Sequence, residues 1–198
     1  MATPRASVII RTFNEERHLP ALLESLASQS FRDYEIVVVD SGSVDRTREL
    51  ATPWADKLLH IDSHDFTFGY SLNVGIQASS SPFAVIISAH TLPTDENWLQ
   101  ALVRPLEDEP TAMTYGRQLG WQNFSEGRDL DRTFGSKPRV EKPPRFFAHN
   151  GNSAIRKDLW EDHPFDESLP GLEDIEWAKH WMLKGYQVVY EPKAALYH

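Results

Sequence analysis

Four short runs of aliphatic, largely β-branched residues punctuate the first ninety positions: SVIIR (7–11), EIVVV (35–39), KLLHI (57–61) and FAVII (83–87). Each reads as a short strand, with 35–39 almost purely β-branched. Between them lie stretches of helical period. Residues 15–28 carry Leu19, Leu22, Leu23 and Leu26 on one face, 70–78 read YSLNVGIQA, and Ser43 is a candidate N-cap for VDRTRELA. Doubly buried strands alternating with helices predict an α/β fold, a mostly parallel central sheet flanked by helices with right-handed crossovers. At 198 residues with 40 % apolar and 25 % charged side chains, the chain is expected to form one folded domain.

In such sheets ligands sit beyond the carboxyl ends of the strands. The positions to interrogate are therefore 12–15, 40–43, 62–65 and 88–91. Strand one runs into TFNEE, so the glycine-rich dinucleotide fingerprint and the P-loop are both missing. Asp40, ending strand two, can accept hydrogen bonds from a base or ribose, with Thr12 and Asn14 on the neighbouring strand. It can equally be a turn residue of DSGS. The fourth strand ends in Ser88, Ala89 and His90. A net charge of −9 argues against a general nucleic-acid binder, and the lack of cysteine removes thiol chemistry and thiolate metal clusters.

The second half is less regular. TAMTYG (111–116), NSAIR (152–156) and QVVYEP (187–192) read as strands, the last ended by Pro192. Residues 172–185 form an amphipathic helix with Ile175, Ala178, Trp181 and Met182 on one face and Gly185 as its stop. A stretch near 121–145 is rich in Pro, Gly and charge and reads as a long loop. Its Arg132, Lys137, Arg139, Lys142 and Arg145 are a solvated face or a trap for an anionic substrate. Trp121, Phe124, Trp177 and Trp181 are core or an exposed stacking surface. Glu173 and Asp174, adjacent at the helix start, either complement the macrodipole or, in a cleft, supply a general base. The N-terminus lacks the apolar core of a secretory signal and no run approaches the roughly 18 apolar residues of a spanning helix. The expectation is a cytoplasmic protein, at most peripheral at the inner face of the membrane.

Taken in order, SVIIRTFNEERHLPALLESLASQSFRDYEIVVVDSGSVDRTRELA, SLNVGIQAS, NGNSAIRKDLW, PFDESLPGLEDIEW and GYQVVYEPKAALYH resemble the family two glycosyltransferases of the GT-A, Rossmann-like fold. The resemblance covers nearly the whole chain. It implies one glycosyltransferase domain, with a nucleotide-binding half near 1–92 and an acceptor-binding half near 93–198. It further implies inverting transfer from a UDP-, dTDP- or GDP-linked sugar to a glycan or lipid-linked acceptor, as in polysaccharide biosynthesis. By position, Thr12, Asn14, Glu15, Asp40, Ser43, Asn73, Ser88 and His90 are expected at the donor, and Gly151 and Asn152 at the acceptor. Asp174 is implied as catalytic base with Glu173 as its partner. Family members usually hold Mg²⁺ or Mn²⁺ with an Asp-x-Asp motif after the fourth strand. Here Ser88-Ala89-His90 stands in its place, and His90 with His198, which ends the family's YH segment, is the expected metal pair. A catalytically weak or inactive nucleotide-sugar-binding module is the alternative. A nucleotidyltransferase would need a glycine-rich basic loop where TFNEE stands.

Overall fold

The computed structural model describes residues 3–120 and 133–198. Their order is β1 (Ala6–Thr12), α1 (Leu19–Ala27), β2 (Tyr34–Asp40), α2 (Thr47–Ala51), β3 (Lys57–His60), α3 (Phe68–Ala78), β4 (Phe83–Ser88), β5 (Leu92–Pro93), α4 (Trp98–Val103), β6 (Thr111–Leu119), β7 (Arg139–Val140), β8 (Asn152–Arg156), α5 (Lys157–Asp162), α6 (Glu173–Leu183) and β9 (Gln187–Tyr197). The strands form a single sheet in the order β3-β2-β1-β4-β8-β6-β9-β5, with β7 paired to β9. The first four strands are mutually parallel; β1, β2 and β4 are apolar on both faces, while β3, KLLH, is the half-buried edge strand. Strand β8 enters antiparallel to β4 and β6, and β6 runs parallel to β9, so one sheet passes through both halves of the chain.

Alternation along β1 divides the core. Val8 and Ile10 face α1 and α4 through Leu19, Leu22, Leu26 and Trp98, whereas Ile9 faces α3 through Leu72 and Ile76. All are fully buried, at about 1.5–3 kcal/mol for each large aliphatic side chain relative to exposure. Helix α3 lies so close to the sheet that a Cβ on Gly75 would come within 2.5 Å of Ile9 Cγ2 and 3.0 Å of Val39 Cγ2. That approach presses its N-terminus against the strand ends.

Several local expectations are corrected. Ser43 does not cap α2, which begins at Thr47 with no side-chain cap; its Oγ instead accepts from the Asn14 N–H at 2.8 Å. Pro192 does not end the last strand. Strand β9 continues to Tyr197 through an irregularity opposite Gly116–Gln118, because that break in register leaves the proline without a ladder hydrogen bond to make. In α6, Trp177 replaces Ile175 on the buried face, and Trp177 and Trp181 are core, 0 % and 3 % exposed, so neither offers a sugar platform. Trp121, Phe124 and Arg132 lie outside the described residues. Arg139 and Arg145 are not a free basic surface, since both pair with the buried Glu141 at 2.7 and 3.1 Å. Among the described residues no helix is long and apolar enough to cross a membrane.

Candidate functional site

The loops after β1 and β2 knit together. Asp40, fully buried, accepts from Thr12 Oγ1 at 3.3 Å and from the N–H groups of Gly42 and Ser43 at 3.3 and 3.1 Å, with His60 Nδ1 at 3.5 Å. The turn role and the strand-end position coexist. Asn14 takes the left-handed conformation (φ +56°), tolerable for Asn, and its Oδ1 accepts from the Val44 N–H at 2.9 Å. Beside this pair of loops, Glu15 lies 2.8 Å from Nδ1 of His90, just beyond the end of β4.

From His90 a chain of contacts crosses the sheet end. His90 Nε2 and His198 Nε2 lie 3.0 Å apart, His198 Nδ1 is 2.7 Å from Gln118 Oε1, and Gln118 Nε2 is 2.7 Å from His149 Nδ1. The Gly151 N–H also donates to His149 Nδ1 at 3.0 Å. Burial, then the neighbouring His90 and His149, holds the His198 imidazole down to about 4. Burial likewise lowers His149.

His149 opens onto a cavity of about 310 Å³ whose walls include Arg11, Phe68, Phe147, Leu172, Glu173 and Asp174. Leu172 adopts φ +67°, a strained conformation for a leucine, and turns the chain so that both carboxylates start α6. Asp174 Oδ2 accepts from the Asn150 N–H at 3.0 Å, while Glu173 Oε1 accepts from Asn150 Nδ2 at 3.2 Å. Burial pushes the Asp174 carboxyl above the usual carboxylate range, outweighing these N–H groups and the Arg11 charge. Arg11, stacked 5.1 Å from the Phe68 ring, has buried Nε and Nη1 atoms without hydrogen-bond partners, and burial lowers its pKa against the fields of Glu173 and Asp174. Among the described residues, the base candidate in this cavity feels the half-buried Arg11 charge without a direct ion pair.

Two expected site residues are committed elsewhere. Asn73 donates to the Phe165 carbonyl and Glu167 Oε1, both at 2.8 Å, and accepts from Trp160 Nε1 and the Phe165 N–H, so its amide clamps α3 to the segment after α5. Asn152, wholly buried, donates to the Arg117 and Ala194 carbonyls and accepts from Trp98 Nε1 at 2.9 Å. Gly151 lines the cavity. Ser88 contributes its carbonyl, which accepts from Thr91. Sequence alone does not single out Arg11, Gln118, His149 or Asn150. Of these only Arg11 carries a signal, a charge at the end of an otherwise apolar strand.

A second group of ligand types, His163, Glu176 and His180, lies on α6 and the segment before it. Its two imidazoles stack 3.6 Å apart at 7°, so in this arrangement no ion can lie in the planes of both rings.

One mixed α/β domain with its polar residues gathered at the strand ends defines a GT-A-type protein. The chain belongs to glycosyl transferase family 2: the profile described as "Glycosyl transferase family 2" matches residues 7–163. It is 27 % identical to the O-antigen chain rhamnosyltransferase RfbN of Salmonella typhimurium, over 98 % of this chain and 66 % of that protein. It is 32 % identical to a PGL/p-HBAD biosynthesis glycosyltransferase of Mycobacterium bovis, over 67 % of this chain and 55 % of that one. The chain thus spans between half and two thirds of the length of these relatives. Among solved structures, the mannosyltransferase PcManGT from Pyrobaculum calidifontis in complex with GDP-Man and Mn²⁺ superposes with a TM-score of 0.76 at 21 % identity, covering 100 % of this chain and 57 % of that one. Staphylococcus aureus TarS 1-349 in complex with UDP-GlcNAc does so at 0.80 and 20 % identity, covering 98 % and 58 %.

Proposed function

We propose that the chain is the donor-binding and catalytic part of an inverting glycosyltransferase, moving a sugar from a nucleoside diphosphate to a hydroxyl of a glycan or lipid-linked acceptor. The observation that carries this reading is Asp174, a half-buried carboxylate held by the Asn150 N–H inside a cavity beside the strand ends. Family membership supports the reaction class, and the named assembly roles of the relatives support a cell-surface glycan as product. The expected place of work is the cytoplasm, at most peripheral to the membrane.

The chemistry follows from what must be moved. As the acceptor oxygen attacks the anomeric carbon, its proton passes to an Asp174 oxygen, while the bond to the diphosphate breaks on the opposite face of the sugar and configuration inverts. A carboxylate with a raised pKa is a stronger base than an exposed aspartate. Arg11 keeps it ionised, and Glu173, tied to Asn150, orients the acceptor together with the Gly151 backbone. Thr12, Asn14, Glu15, Asp40 and Ser43 form the base and ribose side, with His90 and Ser88 at the diphosphate. Asn73 and Asn152 act by holding the walls.

Negative charge grows on the leaving diphosphate and needs a cation or N–H donors. The donor set fits a divalent ion of transition-metal character: two imidazole nitrogens 3.0 Å apart match neighbouring ligands of one ion at about 2.1 Å, and a carboxylate behind His90 is the usual support for a ligating histidine. His90 and His198 would hold Mn²⁺ in preference to Mg²⁺, and the ion would supply charge neutralisation. The replacement of the expected aspartate by His90 is also what favours the second reading, a module that binds the donor without turnover.

Calorimetry of UDP, dTDP and GDP, each with and without Mn²⁺, tests both. One diphosphate binding more tightly with Mn²⁺, and losing that gain in His90→Ala, is the expected result. Binding indifferent to Mn²⁺ would mean that the imidazoles contact phosphate directly, and binding without transfer to any acceptor would favour the module. No binding of any diphosphate refutes the donor site.

A further inference from the structure

The contact chain from Gly151 to Glu15 fixes where the histidine protons are. A backbone N–H can only donate, so at the Gly151 end His149 Nδ1 must accept. The group of Gln118 that meets the same nitrogen at 2.7 Å must then be its NH₂, which turns its carbonyl oxygen to His198. An amide oxygen can only accept, so His198 carries its proton on Nδ1. At the far end Glu15 accepts from His90 Nδ1 by the same reasoning. With both rings neutral, the facing Nε2 atoms are therefore bare lone pairs, 3.0 Å apart. Two lone pairs at that separation repel unless a metal ion or one shared proton binds both.

We infer that Gln118 is the positioning residue of the proposed His90–His198 cation site. It acts at a distance from the ion by choosing the His198 tautomer, and His149 in turn locks the Gln118 amide. The geometry leaves little freedom: Gln118 is fully buried, and β6 holds it in register with Leu196 two residues before His198. Since His149 also lines the cavity of Asp174, one rigid chain links the diphosphate end to the acceptor end. An acceptor that disturbs His149 would loosen the cation site. The inference rests on the metal reading above, and its test separates the two.

Long-range proton–nitrogen NMR correlation on histidine-labelled protein reads each tautomer directly. His90 and His198 are expected as Nδ1–H and His149 as Nε2–H. In Gln118→Leu, His198 should lose its fixed Nδ1–H state while His90, held by Glu15, keeps its own. His198 found as Nε2–H in the wild type, or unchanged by Gln118→Leu, would overturn the inference. The second arm titrates Mn²⁺ by the loss of its free-ion paramagnetic resonance signal, with thermal melts as a folding control. His198→Ala should abolish the site and Gln118→Leu should weaken it about 10–100-fold. Undiminished binding in His198→Ala refutes the metal reading itself; loss there with wild-type affinity in Gln118→Leu refutes only the positioning role.

Discussion

Replacing Asp174 by Asn separates catalysis from folding more cleanly than any other single change here. The substitution keeps the shape and removes the charge. Because burial raises the Asp174 pKa in the folded chain, its ionised form opposes folding at neutral pH. That penalty is absent below the unfolded value near 3.9 and is complete once pH has risen through the folded value; it amounts to about 1.4 kcal/mol for every pH unit that separates the two. Asn escapes it. Against this gain, both Asp174 oxygens accept, one from Asn150 N–H at 3.0 Å and one from the Ile175 N–H at 2.7 Å, and Asn offers only one acceptor. Losing one such bond to a carboxylate costs about 1.5–3 kcal/mol. The two effects oppose each other, so the melting temperature should move by only a few degrees in either direction. Turnover has no such compensation: losing a positioned general base costs roughly 10²–10⁴-fold, or about 3–5 kcal/mol of barrier. The assay is release of nucleoside diphosphate from whichever donor sugar binds in calorimetry, at saturating donor. A variant that melts like the wild type and keeps more than a tenth of its turnover would refute the assignment of the base.

Arg11→Met removes a cation that lowers the Asp174 pKa, so the acid limb of the pH–rate profile should move to higher pH; an unmoved limb would show that Arg11 does not act on the base. Glu35, at the opposite end of the sheet, is held at about 2 because, against its burial, Ser7, Ser80 and Lys57 all donate to it. A depressed carboxylate stabilises above its unfolded pKa near 4.3 and loses that stabilisation as pH falls toward 2, so Glu35→Gln should cost at most about 3 kcal/mol at pH 7 and little at pH 2, measured by urea denaturation at both. In Gly116→Ala the new Cβ would overlap the Ala194 carbonyl and the Asn152 amide, both anchored, at a cost of about 1–3 kcal/mol and a loss of several degrees in melting temperature. Removing either histidine of the 3.0 Å pair should abolish any Mn²⁺ enhancement of diphosphate binding, read by calorimetry.

The parallel half of the fold was legible in the chain because its signal is local. Four apolar runs with helical stretches between them admit few arrangements, and β1 to β4 fall within a residue or two of the sequence expectation. The carboxylate pair opening α6 and the strand-end positions of Thr12, Asp40 and His90 were legible for the same reason, since a ligand site beyond the strands follows from the fold class. What the sequence could not convey depends on pairings between distant segments. Asn73 and Asn152 look like ligand residues in the chain, yet Trp160, Phe165 and Trp98 consume their amides, 54 to 92 positions away. Gln118 is an ordinary polar residue until the register of β6 on β9 sets it between His149 and His198. Arg11 reads as a strand end until α3 and α6 bury it opposite Glu173 and Asp174. The sequence alone determined which elements form and which faces they bury, because periodicity is a property of neighbours. Only the tertiary structure decided which polar groups are spent on the scaffold and which remain for chemistry, because hydrogen-bond partners and desolvation are properties of what folds against them.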